Sequence, residues 1–79
     1  MPTSDGELAR QALAGSQEAY RTLVSRYASA AINMAARLVR DRALAEDLAQ
    51  DAFVRAFSRL KTYDPERRFS AWFFQILHN

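Results

Sequence analysis

Three acids stand close together in the middle of the chain, Glu46, Asp47 and Asp51, and the same stretch carries Gln50 and Val54. Carboxylates at such spacing can act as a general acid and base or as hard ligands for a divalent metal. A catalytic pair needs a pocket that moves its pKa values. These acids instead fall on the outer face of a helical pattern, with no partner histidine. The chain has no cysteine and one histidine, His78, far from the acids. No phosphate-cradling glycine loop, nucleophile motif or metal-ligand spacing occurs. An enzyme is therefore the weakest class, and no cofactor is expected. Solvated surface is the bland reading of the acids. A contact face is the favoured one, because an acid–amide–apolar strip suits a basic helical partner better than it suits water.

A second cluster mixes cations with rings: Arg55, Arg59, Lys61, Tyr63, Arg67, Arg68, Phe69, Trp72 and Phe73. Cations neutralise phosphates, and aromatic faces stack on unpaired bases. Helical spacing assigns Phe73 and Ile76 to a core and leaves Trp72 between core and surface. Tyr63 reads as a loop residue whose hydroxyl wants a polar partner. The charge distribution runs the same way. Residues 1–51 hold six Arg against seven Asp and Glu, a net of −1, whereas residues 52–79 hold five Arg and Lys against two acids, a net of +3. An acidic patch and a basic end fit two unlike partners.

The elements that must position these residues are helices. The 79 residues make one small domain, with scarce glycine and proline and abundant Ala, Leu and Arg. Ser4 and Glu7 have capping-box spacing and open a short helix to about Ala14, with Leu8, Ala9, Ala12 and Leu13 as its stripe and Gly15 as its stop. Ser16 caps a second helix over about Gln17 to Arg40. Its stripe is Tyr20, Leu23, Val24, Tyr27, Ala31, Met34, Ala35 and Leu38. Asp41 caps a third helix running to Leu60, with Ala45, Leu48, Ala49, Ala52, Phe53, Ala56, Phe57 and Leu60 facing inward. The break at residue 41 is so short that the two long helices should pack as an antiparallel hairpin. Pro65 then marks the one real loop, and Ser70 or a neighbour caps a fourth helix with the stripe Phe69, Trp72, Phe73, Ile76, Leu77. The expected fold class is all-α: a compact helical bundle of one short helix, a long antiparallel helix hairpin and a C-terminal helix.

No apolar run approaches the roughly 20 residues of a membrane span. Met1 to Glu7 lacks the basic start and apolar middle of a secretory signal. A cytoplasmic protein without membrane insertion is the expectation. The fourth helical pattern reaches Asn79 without a glycine, proline or cap, so a fragment of a longer protein is expected.

The pattern resembles region 2 of bacterial sigma factors of the sigma-70 family, most closely the extracytoplasmic-function (ECF) group. Leu8 to Tyr27 is similar to that family's opening helix, glycine break and F/Y-x-x-L-x-x-R-Y pattern. Within Asp41 to Phe57, A-E-D-L-A-Q-D-A-F-V-R-A-F is close to A-E-D-x-x-Q-E-x-F-x-x-x-W/F. Phe69 to Asn79, F-S-A-W-F-F-Q-I-L-H-N, is close to F-x-x-W-L-x-x-I-x-x-N. The resemblance covers the whole chain and implies a region 2 domain over residues 1–79, with its C-terminal helix truncated and the region 4 domain absent.

The resemblance also implies a function. Such a domain is a transcription initiation factor module that docks on the β′ clamp helices of RNA polymerase. It recognises and melts the −10 promoter element through the single-stranded non-template strand. Carried over onto this chain, polymerase binding falls on Asp47, Gln50, Asp51 and Val54, with Phe53 as packing. Asp51 stands where the family more often has glutamate, which keeps the charge and shortens the reach. DNA binding falls on Arg59, Lys61, Tyr63, Arg67, Arg68, Phe69, Trp72, Gln75 and Asn79. The partners implied are the polymerase core, promoter DNA and an anti-sigma factor. The alternative is a helical protein-interaction adaptor without nucleic-acid specificity.

Overall fold

The computed structural model describes residues 3–78, which form four helices, α1 (Asp5–Leu13), α2 (Gln17–Val39), α3 (Arg42–Ser58) and α4 (Phe69–His78). No strand occurs among the described residues. A 3-10 turn over Leu60–Thr62 follows α3.

Side chains that compete for the first unpaired N–H groups set where the helices start. Ser4 Oγ accepts from the Glu7 N–H at 3.2 Å, and Ser16 Oγ from the Ala19 N–H at 3.1 Å. Asp41 Oδ1 accepts from the Leu44 N–H at 3.2 Å. The end of α1 is closed by paired reversed bonds, Ser16 N–H to the Gln11 carbonyl at 2.9 Å and Gly15 N–H to the Ala12 carbonyl at 3.0 Å. That geometry puts Gly15 at φ 111°, where a Cβ would be strained. α2 ends differently. Arg40 takes the left-handed conformation, φ 55° and ψ 29°, without being glycine. Arg40 and Asp41 are then the whole link to α3, which turns back along α2.

This hairpin is the frame of the molecule. α2 has 23 residues, which at ~1.5 Å per residue gives about 35 Å. That matches the longest dimension of the molecule, 36 Å. Alanine lines the seam: Ala31 and Ala35 of α2 and Ala45, Ala49, Ala52 and Ala56 of α3 are all buried. Such small side chains let the two backbones come close. α4 lies across the hairpin and fills the remaining core with rings. Phe73 stacks on Phe53 at 4.4 Å between centroids, and Phe69 lies parallel to Phe73 at 6.0 Å. No buried side-chain polar atom lacks a partner among the described residues.

Three positions expected on inward stripes are not inside. Leu13 is 44% exposed, Leu38 53% and Phe57 50%. Leu13 closes α1 and Leu38 lies at the hairpin turn. Phe57 is the last apolar residue of α3, and its ring meets Tyr20 edge-on, 4.8 Å away between centroids, while half of the residue stays exposed. Helical period places a residue on a face, but a neighbouring element must also reach far enough to cover it. Ser70 is not the cap of the fourth helix, since α4 begins at Phe69 and Ser70 sits in its first turn. The third helix stops at Ser58 and does not continue to Leu60, which stays buried through the 3-10 turn.

Candidate functional site

Asp47, Gln50, Asp51 and Val54 are three, four and seven residues apart on α3, so they share one side of it. All four are exposed, and Val54 is 64% exposed despite being apolar. Asp51 is held by its own helix, because Arg55 Nε donates to its Oδ2 at 2.9 Å. A partner's cation would have to share or replace that pair. Pairs of this exposed type stabilise by about 0.3–0.5 kcal/mol, so the exchange is easy. Phe53 is buried against Phe73, as packing requires.

Beside this strip the structure opens a groove of about 540 Å³ between α2 and α3. Val24, Ala28 and Ile32 line it from α2, and Ala49, Val54 and Phe57 from α3, with Arg21, Glu46 and Gln50 also at its walls. Gln50 and Val54 belong to both the strip and the groove. Sequence reading missed the groove, because it placed Phe57 in the core. Two exposed apolar residues three apart, Val54 and Phe57, were the available signal.

The second cluster surrounds the segment from Arg59 to Arg68. Arg59, Lys61, Arg67 and Arg68 are exposed, as is Gln75 on α4. Trp72 is half-buried. Tyr63 and Phe69, both expected among the DNA-binding residues, are buried, at 4% and 1% exposure. Tyr63 packs between Phe69 at 5.5 Å and Trp72 at 5.2 Å, and its hydroxyl donates to the Arg67 carbonyl at 2.5 Å. The polar partner expected for this hydroxyl is therefore the backbone of its own loop. Burial raises the Tyr63 pKa, with Asp5 and Asp64 adding to the effect. Phe69 joins Tyr63 to Tyr27 of α2, 5.5 Å away. Asn79 lies outside the described residues.

The loop is an ordered turn. The Arg67 N–H donates to the Asp64 carbonyl at 2.9 Å, and Asp64 Oδ1 accepts from the Glu66 N–H at 2.9 Å. α1 lies against it. Asp5, at the start of α1, accepts from Arg26 Nη1 at 2.8 Å and from the Tyr27 hydroxyl, which ties α1 to α2. Neither Asp5 nor Gly6 was singled out by sequence reasoning. An isolated glycine inside a helical pattern was the signal for Gly6.

Among the described residues, no group of three His, Cys, Asp or Glu is placed to hold a metal. No described helix is long and apolar enough to cross a membrane.

The helical fold and these motifs define a sigma region 2 domain. The chain matches the Sigma-70 region 2 family over residues 23–79 and belongs to it. Its relatives include extracytoplasmic-function sigma factors. It is 33% identical over 70 residues to the ECF RNA polymerase sigma factor SigW of Bacillus subtilis, covering 89% of this chain and 37% of that protein. It is 38% identical over 73 residues to the RNA polymerase sigma factor CnrH of Cupriavidus metallidurans, covering 92% and 38%. The chain thus spans under two fifths of the length of these relatives. Among solved structures it resembles an engineered region 2 of sigmaE in complex with GTAAAA, with TM-score 0.90, 31% identity, and coverage of 98% of this chain and 80% of that one. It also resembles CnrH in complex with the cytosolic domain of CnrY, with TM-score 0.87, 39% identity, and coverage of 95% and 49%.

Proposed function

We propose that this chain is the part of a transcription initiation factor that docks on the β′ clamp helices of RNA polymerase and recognises and helps melt the −10 promoter element through its non-template strand. The observation that carries the reading is the likeness, over nearly the whole chain, to a region 2 in complex with GTAAAA, combined with the exposed cations Arg59, Lys61, Arg67 and Arg68 around the turn before α4. The cations attract the strand. Trp72 and Gln75 offer a ring edge and an amide at the first turns of α4 for unstacked bases. Asn79 belongs to this set by the family motif. Tyr63 and Phe69 act from beneath as the packed base of the turn. The domain performs no chemistry. Holding a base out of its stack costs a few kcal/mol, offset by contacts in a preformed site.

Docking falls to Asp47, Gln50, Asp51 and Val54. The acids meet a basic helix, Gln50 supplies an amide, and Val54 leads into the apolar groove, which can seat side chains from the same partner. An anti-sigma factor is a further partner, by analogy with CnrH and its CnrY complex. The domain acts in the cytoplasm, where its polymerase is found.

Two binding measurements test this. The triple variant Asp47→Ala, Gln50→Ala, Asp51→Ala should lose most of its binding to clamp helices in a pull-down while keeping its melting temperature. Unchanged capture removes the docking assignment. In fluorescence polarisation, the wild-type chain should prefer one single-stranded sequence over its scrambled permutations. Equal binding to all of them favours a protein-interaction adaptor, whose basic end reads only phosphates.

A further inference from the structure

At Gly6, α1 meets the turn of the DNA loop. A Cβ built there would lie 2.7 Å from the Pro65 carbonyl oxygen and 3.6 Å from the Pro65 Cβ. Carbon does not approach a backbone oxygen that closely without one of the two segments moving, so glycine is needed for this contact. Behind Gly6, Asp5 is tied to Arg26 and Tyr27 of α2. Beyond it, the turn is closed by Asp64 on the Glu66 N–H and by the Tyr63 hydroxyl on the Arg67 carbonyl. One line of contacts therefore runs from the hairpin frame through α1 and Pro65 to the start of α4.

We propose that Gly6 and Tyr63 are positioning residues for the reading of single-stranded DNA. Gly6 sets how closely the Pro65–Arg68 turn sits on α1. Tyr63 fixes the far end of that turn through the Arg67 carbonyl. Together they present Arg67, Arg68 and the first turn of α4 to the strand in one geometry. Neither residue presents a side chain at the surface: Gly6 has none and faces Pro65, and Tyr63 is buried. The inference rests on the DNA half of the function proposed above.

Disturbing the turn should change which sequence is preferred and leave the general attraction intact, because both variants keep every exposed cation and phosphate attraction depends little on exact placement. The test compares wild type, Gly6→Ala and Tyr63→Phe by polarisation, using GTAAAA and its permutations as single-stranded probes at several salt concentrations. Amide spectra and clamp-helix capture are recorded in parallel. In both variants the ratio of preferred to scrambled binding should fall about tenfold, the size of one lost base contact. The salt slope and clamp-helix capture should stay at wild-type values, and amide shifts should centre on residues 63–70. Either variant that folds and keeps the wild-type ratio overturns the positioning role of its residue. If Gly6→Ala does not fold, Tyr63→Phe decides alone, since it keeps the buried ring and removes only the hydroxyl. A wild-type chain without any sequence preference instead overturns the DNA reading itself, and the positioning role falls with it.

Discussion

The Tyr20 hydroxyl donates to the Phe53 carbonyl at 2.5 Å, joining α2 to α3 beside the groove. Burial pushes its pKa up from 10.0 to about 12. Burial does the same to Tyr27, aided by its hydrogen bond to Asp5. The folded chain thus keeps these protons at a pH where the unfolded chain has begun to lose them. The contribution to stability is complete below about pH 10 and disappears as the pH rises towards about 12. Urea unfolding across that range should show the decline, and Tyr20→Phe should flatten it while costing about 1 kcal/mol at neutral pH. Arg40 offers a prediction of opposite sign. Its left-handed backbone carries about 1 kcal/mol of strain that glycine would not. Arg40→Gly should raise the urea midpoint by a corresponding amount.

At the scale of elements, the hairpin depends on alanine. Ala45, Ala52 and Ala56 on α3 and Ala31 and Ala35 on α2 are fully enclosed, with Ala49 nearly so. A larger residue there has no space to enter without spreading the helices. Ala52→Leu should destabilise by about 1–3 kcal/mol, measurable as a lower melting temperature. The exposed strip Asp47, Gln50, Asp51, Val54, on the opposite side of the same helix, should tolerate changes with little loss of stability. The helix starts were legible in the sequence because Ser4, Ser16 and Asp41 act within one turn of themselves, and Gly15 likewise announced the end of α1. The end of α2 was placed one residue too far, since no glycine marks it and the turn rests on a strained arginine. Leu13, Leu38 and Phe57 followed the helical period and still lie outside, because burial depends on what another helix covers.

Across the whole molecule, the turn before α4 gathers the positive charge of the C-terminal part. With four exposed cations near a strand, the log–log salt slope for single-stranded DNA should be on the order of −3. Charge reversal at Arg67 and Arg68 should weaken preferred and scrambled strands alike, as a loss of phosphate contacts does. Clamp-helix capture reads the other face and should be insensitive to those reversals. The turn belongs to the folded chain as a unit, because its shape is supported by α1 on one side and by the rings of α4 on the other.

The sequence by itself determined the four helices, the caps at Ser4, Ser16 and Asp41, the family and the shared exposed face of Asp47, Gln50, Asp51 and Val54, because periodic spacing and local capping operate over a few residues. Tertiary structure alone decided three things. It buried Tyr63 and Phe69, which neighbours distant in sequence surround. It opened the groove, whose walls come from two helices and whose Phe57 edge no third helix covers. It also set Gly6 against Pro65, 59 positions along the chain. Contacts of that range depend on how α1 packs on the completed hairpin, which no local pattern encodes.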